Sequence, residues 1–213
     1  DKSIEVMDNL RAACKSWTDL PGGTAIPYTY NFLTWETFRI IKQEMLVSTG
    51  LCLAAVFFIT LALIAHPLTA LLVAGVVVMT IIDILGCMNM WGLAIDNVSV
   101  INVVIAVGLC VDYAAHVGHN FMKQTGTNAE RVVSMMGEVG AAVLCGATST
   151  FLGVMLLAVS KSYVFRVLFQ SFFLTVAFGL AHGMVLLPAL LSLIGPASYQ
   201  VGSNKVEEKD VEY

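Results

Sequence analysis

Charge is scarce in this chain. Only 12% of its 213 residues are Asp, Glu, Lys or Arg, about half the ~25% typical of a soluble domain. Hydrophobic residues make up 58% and mean hydropathy is +0.82, which excludes an ordinary soluble domain and implies a membrane one. Lys and Arg total 11 against 15 Asp and Glu, with no basic stripe, so a nucleic-acid partner is excluded. The chain lacks a Walker A loop, Gly-x-Gly-x-x-Gly, His-Glu-x-x-His and Gly-x-Ser-x-Gly. It is therefore not expected to be an enzyme or to carry a cofactor. Cysteines are few and scattered. Cys52, Cys87, Cys110 and Cys145 fall inside apolar runs and Cys14 in a polar segment, which fits neither a disulfide framework nor a metal site. The first residue is Asp1 rather than Met, and the chain is read as a piece of a longer protein.

Long apolar runs are what the chain has in quantity. Residues 1–42 are polar and mixed, and are read as the α+β end of an extracytoplasmic domain with a lead-in helix. Ile4, Met7, Leu10 and Cys14 have helical spacing, Pro21-Gly22-Gly23 breaks that helix, Tyr28 to Leu33 alternates like a strand, and Thr34 to Glu44 reads as the lead-in. From Met45 to Ile82 no acidic or basic residue appears except His66. One crossing takes about 20 residues, so His66-Pro67 divides this run into spans 45–65 and 68–88. Asp83 stands near the far end of the second and reads as an interface residue. Trp91 marks a headgroup-level loop. Further spans are read at 98–122, 139–159 and 164–194, the last stopped by Gly195-Pro196. Thr127 and Glu130 form a capping box that opens a short amphipathic helix, 127–136, whose Glu130 and Arg131 are expected to face water. The tail, 197–213, is polar and expected to be disordered. The fold class is thus all-α membrane, a bundle of five transmembrane helices over 43–196. Basic residues do not orient it: Arg39, Lys42, Lys161 and Arg166 flank one side, and Lys123, Arg131, Lys205 and Lys209 the other.

The third span holds the residues with chemistry. Asp112 is its one acid, in VSVINVVIAVGLCVDYAAHVGHNF. A charged carboxylate at mid-bilayer costs roughly 2.5 to 3.5 kcal/mol even on lenient scales and marks a function by default. At 100° per residue, Asp112, His116 and His119 fall within about 60° of one another, forming a polar stripe expected to point into the bundle. Gly108 lies one turn before Asp112 on the same face and would admit a neighbouring backbone. Such an acid and histidine can exchange a proton or offer oxygen to a small cation; the other reading is a structural hydrogen-bond cluster. Tyr113 could bond an acid on another helix or simply pack. In the fourth span Thr148 and Thr150 could reach the Asp112 face or bond their own backbone. Gly179 and Gly183 form a small-residue seam, with His182 between them as a satisfied packing histidine.

These segments resemble a family. GLCVDYAAHVGHNFM, GEVGAAVLCGATSTFLG, LAVSKSYVF and HGMVLLPALLSLIGP are similar to the last five spans of Patched and Niemann–Pick C type proteins, of the resistance–nodulation–division permease superfamily and closest to its Patched-domain-containing branch. The resemblance runs from PYTYNFLTWETFRIIKQEML onward. It implies twelve spans in two similar halves, with this chain supplying the second-half bundle and a cytosolic tail. It implies movement of sterol, lipid or another hydrophobic substrate, driven by a proton or sodium ion. Asp112 falls at the family's ion-coupling acid, His116 where relatives also carry His, and Thr148 to Thr150 at a polar patch of the next span. Many relatives carry a second acid directly beside the first in the matching helix of the other half; here the neighbour of Asp112 is Tyr113. The implied partners are membrane lipids or sterol, the coupling ion, the remaining half of the same protein and other membrane subunits; the implied location is a multi-pass position in the plasma membrane or an endomembrane. A receptor-like or sterol-responsive regulator without transport, and a structural subunit of a larger complex, are the alternatives.

Overall fold

The computed structural model of the chain describes residues 2–16 and 25–199. The Pro21-Gly22-Gly23 break and the tail beyond Tyr199 lie outside the described residues. In order the helices are α1 (Lys2–Ser16), α2 (Tyr30–Ile64), α3 (Pro67–Met90), α4 (Asn97–Lys123), α5 (Asn128–Met155), α6 (Tyr163–Ala181) and α7 (Leu187–Ile194). A 3₁₀ turn, Leu156–Val159, extends α5, and a π-turn, His182–Leu186, joins α6 to α7. Counted with these extensions, five helices among the described residues are long and apolar enough to cross a membrane.

The first of the five is longer than a bilayer requires. α2 has 35 residues, about 52 Å at 1.5 Å per residue, against a hydrocarbon core of about 30 Å. The lead-in and the span are one continuous helix. The strand expected at Tyr28 to Leu33 is absent: Tyr28 and Thr29 are irregular and Tyr30 opens α2, and no strand occurs among the described residues. Six alternating residues match the first turns of a helix as well as a strand, and the helix that follows extends into them. α1 lies against this protruding part. Arg11 donates to Glu36 at 2.9 Å, its guanidinium stands 5.8 Å from the Phe32 ring, and Arg39 pairs with Asp8.

Ala65 ends α2 in the left-handed region (φ 49°), its N–H donating to Leu61 O at 2.8 Å. Pro67 then occupies the first turn of α3, where its missing N–H costs nothing. α4 is the hub of the bundle and packs against α2, α3, α5 and α6. Its N-cap is Asp96, which accepts from Ser99 N–H at 2.8 Å. The core is built mainly from apolar side chains, with Val73 and Val77 of α3, Val107 and Val117 of α4, and Leu187 and Leu191 of α7 all fully buried.

Two expectations about α5 need correction. The amphipathic piece 127–136 and the span that follows are one helix, capped by Thr127 and Glu130: Thr127 N–H donates to Glu130 Oε2 at 2.9 Å and Glu130 N–H to Thr127 Oγ1 at 3.4 Å. Gly137 does not interrupt it, because one glycine costs a helix only about 1 kcal/mol. Arg131 does not face water. It is 2% exposed, stacks 3.8 Å from the Phe121 ring centroid, and donates to Pro196 O at 2.6 Å, Phe121 O at 3.0 Å and Asn128 Oδ1 at 3.1 Å. Helix C-termini leave carbonyls without intrahelical partners, and this guanidinium serves one at the end of α4 and another just past α7. The beginning of the tail is also held: Ser198 is buried and the Tyr199 hydroxyl donates to Ile64 O. Burial raises the Tyr199 pKa above its usual value.

Candidate functional site

Asp112 stands fifteen residues after Asn97 and eleven before Lys123 on α4. That is about 22 Å and 16 Å from the two ends, so its carboxyl lies near mid-depth. One turn on, His116 Nε2 comes within 3.4 Å of Asp112 Oδ1. The pairing follows from the 3.6-residue repeat, which puts i and i+4 on one face.

The face they share is not the one expected. The Asp112 side chain is 66% exposed and that of His116 63%, so the pair points away from the five-helix core. The other faces of α4 are already occupied. Gly118 is so close to Val73, Thr69 and Ile64 that a Cβ there would lie 2.9 Å from a Val73 methyl. Cys110 and Tyr113 face α6: a Cβ on Gly179 would lie 3.1 Å from the Tyr113 ring and 3.3 Å from Cys110 Sγ, and one on Gly183 would lie 3.3 Å from Tyr113 Cβ. Gly179 and Gly183 thus form a seam into which Tyr113 fits. Ile101, Ile105, Gly108, Asp112 and His116 make up the remaining, exposed stripe. Gly108 has no neighbour within 4 Å of where a Cβ would stand, so within these five helices it packs against nothing.

A cleft of about 180 Å³ opens beside the pair, lined by Asp112, Tyr113 and His116 of α4 and by Val139, Ala142, Val143 and Gly146 of α5. Apart from the α4 residues its walls are small and apolar, which leaves the carboxyl and imidazole as its polar groups. Thr148 and Thr150 are not brought to the carboxyl. Their hydroxyls donate within their own helix, to Leu144 O at 2.7 Å and Gly146 O at 3.0 Å, where the backbone acceptor is one turn away. Thr150 stands toward the buried Tyr113 hydroxyl, which makes no hydrogen bond of good geometry. His119 is half-buried and its Nδ1 is buried without a hydrogen-bond partner; it is not joined to the Asp112–His116 pair by an ion pair or hydrogen bond among the described residues. Nor does any group of three or more His, Cys, Asp and Glu among the described residues converge as metal ligands would.

Sequence reasoning missed a second polar group inside the bundle. His182 Nε2 lies 3.3 Å from Asp83 Oδ2 and its Nδ1 2.9 Å from Thr80 Oγ1. Asp83, which the sequence presents as an interface residue, is the partner of this histidine. Asn102, whose Nδ2 donates to Ser171 Oγ at 3.4 Å, is a further buried polar contact between α4 and α6. A turn-by-turn count of polar residues in the apolar runs would have singled out Thr80, Asp83 and Asn102, though not their partners.

The Asp112–His116 arrangement has simple chemistry. A carboxylate and an imidazole in contact share a proton readily, and the carboxylate oxygen that faces away from His116 is free to meet a proton or a small cation. Both need an environment other than acyl chains.

No family model matches the chain. Similarity to curated proteins is extensive along it. It is 33% identical to the NPC intracellular cholesterol transporter 1 homolog 1b of Drosophila melanogaster over 183 residues, 84% of this chain and 15% of the relative. It is 29% identical to the NPC intracellular cholesterol transporter 1 of Sus scrofa over 97% of this chain and 17% of the relative. Protein patched homolog 1 of Danio rerio is 30% identical over 94% of this chain and 16% of its own length. The chain therefore spans about a sixth of the curated relatives it matches. Identity sustained over nearly all its residues, together with five apolar helices, places it: the chain belongs to the Patched and Niemann–Pick C type family of multi-pass membrane proteins.

Proposed function

We propose that this chain is the second-half bundle of a cation-gradient-coupled permease for sterol, lipid or another hydrophobic substrate, with Asp112 as the acid that takes up the coupling proton or sodium ion. The observation that carries this reading is the pair Asp112–His116, 3.4 Å apart at mid-depth of a membrane-crossing helix, on a face its own bundle leaves open. A carboxylate against lipid is costly, so the stripe from Ile101 to His116 is the surface against which the remaining half of the protein packs. There the carboxyl becomes interior, reached by water and ions only through the cleft toward α5. His116 receives or returns the proton, and Tyr113, fixed in the Gly179–Gly183 seam, sets the rotation of α4 that aims the acid. The substrate class is supported by two relatives whose names describe intracellular cholesterol transporters.

The test is substrate flux in proteoliposomes containing the full-length protein, under imposed proton and sodium gradients. Asp112→Asn, which preserves shape and removes the titrating group, abolishes gradient-driven flux while assembly and thermal stability are retained. Full flux in that variant overturns the reading. Loss of assembly with no measurable flux in the wild type would favour a structural subunit, and saturable ligand binding without flux a regulator.

A further inference from the structure

The α3–α6 contact contains a polar group that the proposed coupling site does not use. Asp83 stands seven residues before the end of α3 at Met90, about 10 Å along the helix. His182 stands twelve residues before Ile194, about 18 Å. Both lie within the depth of the apolar helices. The backbone explains how His182 reaches α3. Pro188 lacks an N–H, so the carbonyl one turn earlier loses its normal helical donor. The chain accommodates this with a π-turn over His182–Leu186, in which Leu187 N–H donates to His182 O. π-turns of this kind often occur at functional positions, and this one carries the histidine.

Where the ring's protons sit follows from which way the Thr80 hydroxyl points. Thr80 has one hydroxyl hydrogen, and its Oγ1 lies 2.9 Å from Val76 O in donor geometry. The same Oγ1 lies 2.9 Å from His182 Nδ1. With the hydroxyl hydrogen committed to the carbonyl, Oγ1 is the acceptor and Nδ1 the donor. A neutral ring then presents its lone pair at Nε2, and Nε2 faces Asp83 Oδ2 at 3.3 Å. Two lone pairs at that distance repel. One additional proton between them turns repulsion into a hydrogen bond and cancels the net charge of the pair, which a low-dielectric setting favours.

We infer that Asp83 and His182 bind one proton between them, forming a second intramembrane protonation site separate from Asp112. The proton, carried as hydronium, enters on the Asp83 side, the less covered of the two: these helices leave 43% of that side chain uncovered against 17% for His182. It bonds to Oδ2 or Nε2, and it departs to water by the same route, leaving carboxylate and neutral imidazole. The surroundings hold the ring in place for this exchange. Phe178 of α6 stacks on it at 6.2 Å between centroids. Of the other titratable groups on the elements packed here, Cys52 of α2 and Cys87 of α3 are partly buried against the core, Cys110 of α4 meets Gly179 while Tyr113 meets both Gly179 and Gly183, and α7 (LPALLSLI) has none. Release of the proton removes the Asp83–His182 hydrogen bond, loosening the tie between α3 and the π-turn.

The test is nitrogen NMR of ring-labelled histidine in the full-length protein in nanodiscs, with the His182 signals assigned by their loss in His182→Gln. As the pH is raised from acidic to alkaline, Nδ1 stays proton-bearing and Nε2 passes from proton-bound to free. In Asp83→Asn the amide N–H supplies the missing donor, and Nε2 remains an unprotonated acceptor across the range. In Thr80→Val the acceptor for Nδ1–H is gone and the ring proton moves to Nε2. A neutral wild-type ring carrying its proton on Nε2 with Nδ1 bare, or an Nε2 signal that Asp83→Asn leaves unchanged, overturns the inference. Because Asp112 is intact in every variant, these outcomes are independent of whether Asp112 couples transport.

Discussion

Replacing Arg131 by methionine removes a buried guanidinium while keeping most of its stem. Three N–H···O hydrogen bonds are lost. The one to Asn128 Oδ1 at 3.1 Å lies within its own helix, where such a pair contributes only ~0.2 to 0.5 kcal/mol. The two charge-assisted ones that join segments run to Pro196 O at 2.6 Å and Phe121 O at 3.0 Å. At about 1.5 to 3 kcal/mol each they sum to roughly 3 to 6 kcal/mol. Loss of the stacking at 3.8 Å on Phe121 adds about 1 kcal/mol. Against this, methionine avoids the desolvation of a buried cation, an offset of a few kcal/mol. The net expectation is a destabilisation of about 2 to 4 kcal/mol. The assay is thermal unfolding of the full-length protein in nanodiscs, with Lys123→Ala, an exposed cation of the same region, as the reference. Amide exchange should rise where the guanidinium joins α4, α5 and the segment after α7, around residues 121–131 and 195–198. Arg131→Lys recovers only part of the loss, since an ammonium cannot span both carbonyls with a planar fork. Stability equal to that of Lys123→Ala, with unchanged exchange, would refute the reasoning.

Two other substitutions test the packing around the site. Gly179→Val inserts a branched side chain where a Cβ would already be 3.1 Å from the Tyr113 ring; it should cost about 1 to 3 kcal/mol by overpacking and, by rotating α4, reduce gradient-driven flux, both measurable on one preparation. Asp96→Ala removes the acceptor for Ser99 N–H and for Tyr163 Oη, at 2.8 and 3.1 Å, and should lower stability by about 1 kcal/mol in the same unfolding assay.

The membrane helices were legible because a bilayer imposes a length, and a run such as Met45 to Ala65 meets it without help from other parts of the chain. Asp112 and His116 were legible for a related reason: four residues on one helix fix their contact whatever surrounds it. Which way that face points was not, since the answer depends on the other three faces of α4 being taken by Val73, Tyr113's glycine seam and α2. Asp83 and His182 lie far apart in the chain, and their meeting requires both the α3–α6 packing and the turn made by Pro188. Arg131 read as a surface cation because its partners are backbone carbonyls, which no side-chain pattern displays. Tyr28 to Leu33 misled because alternation over so few residues does not separate a strand from the start of a helix.

The central claim is that the stripe containing Asp112 is an interior surface of the whole protein. Its most direct test is a spin label at Ile105, one of the exposed positions of that stripe, in the full-length protein with other reactive cysteines replaced. Collision with molecular oxygen, which concentrates among acyl chains, is compared with that of labels at Leu63 and at the buried Val107. Low oxygen access, close to that at Val107, is the result predicted. Oxygen access equal to that at a lipid-facing position would place Asp112 against lipid and contradict the account.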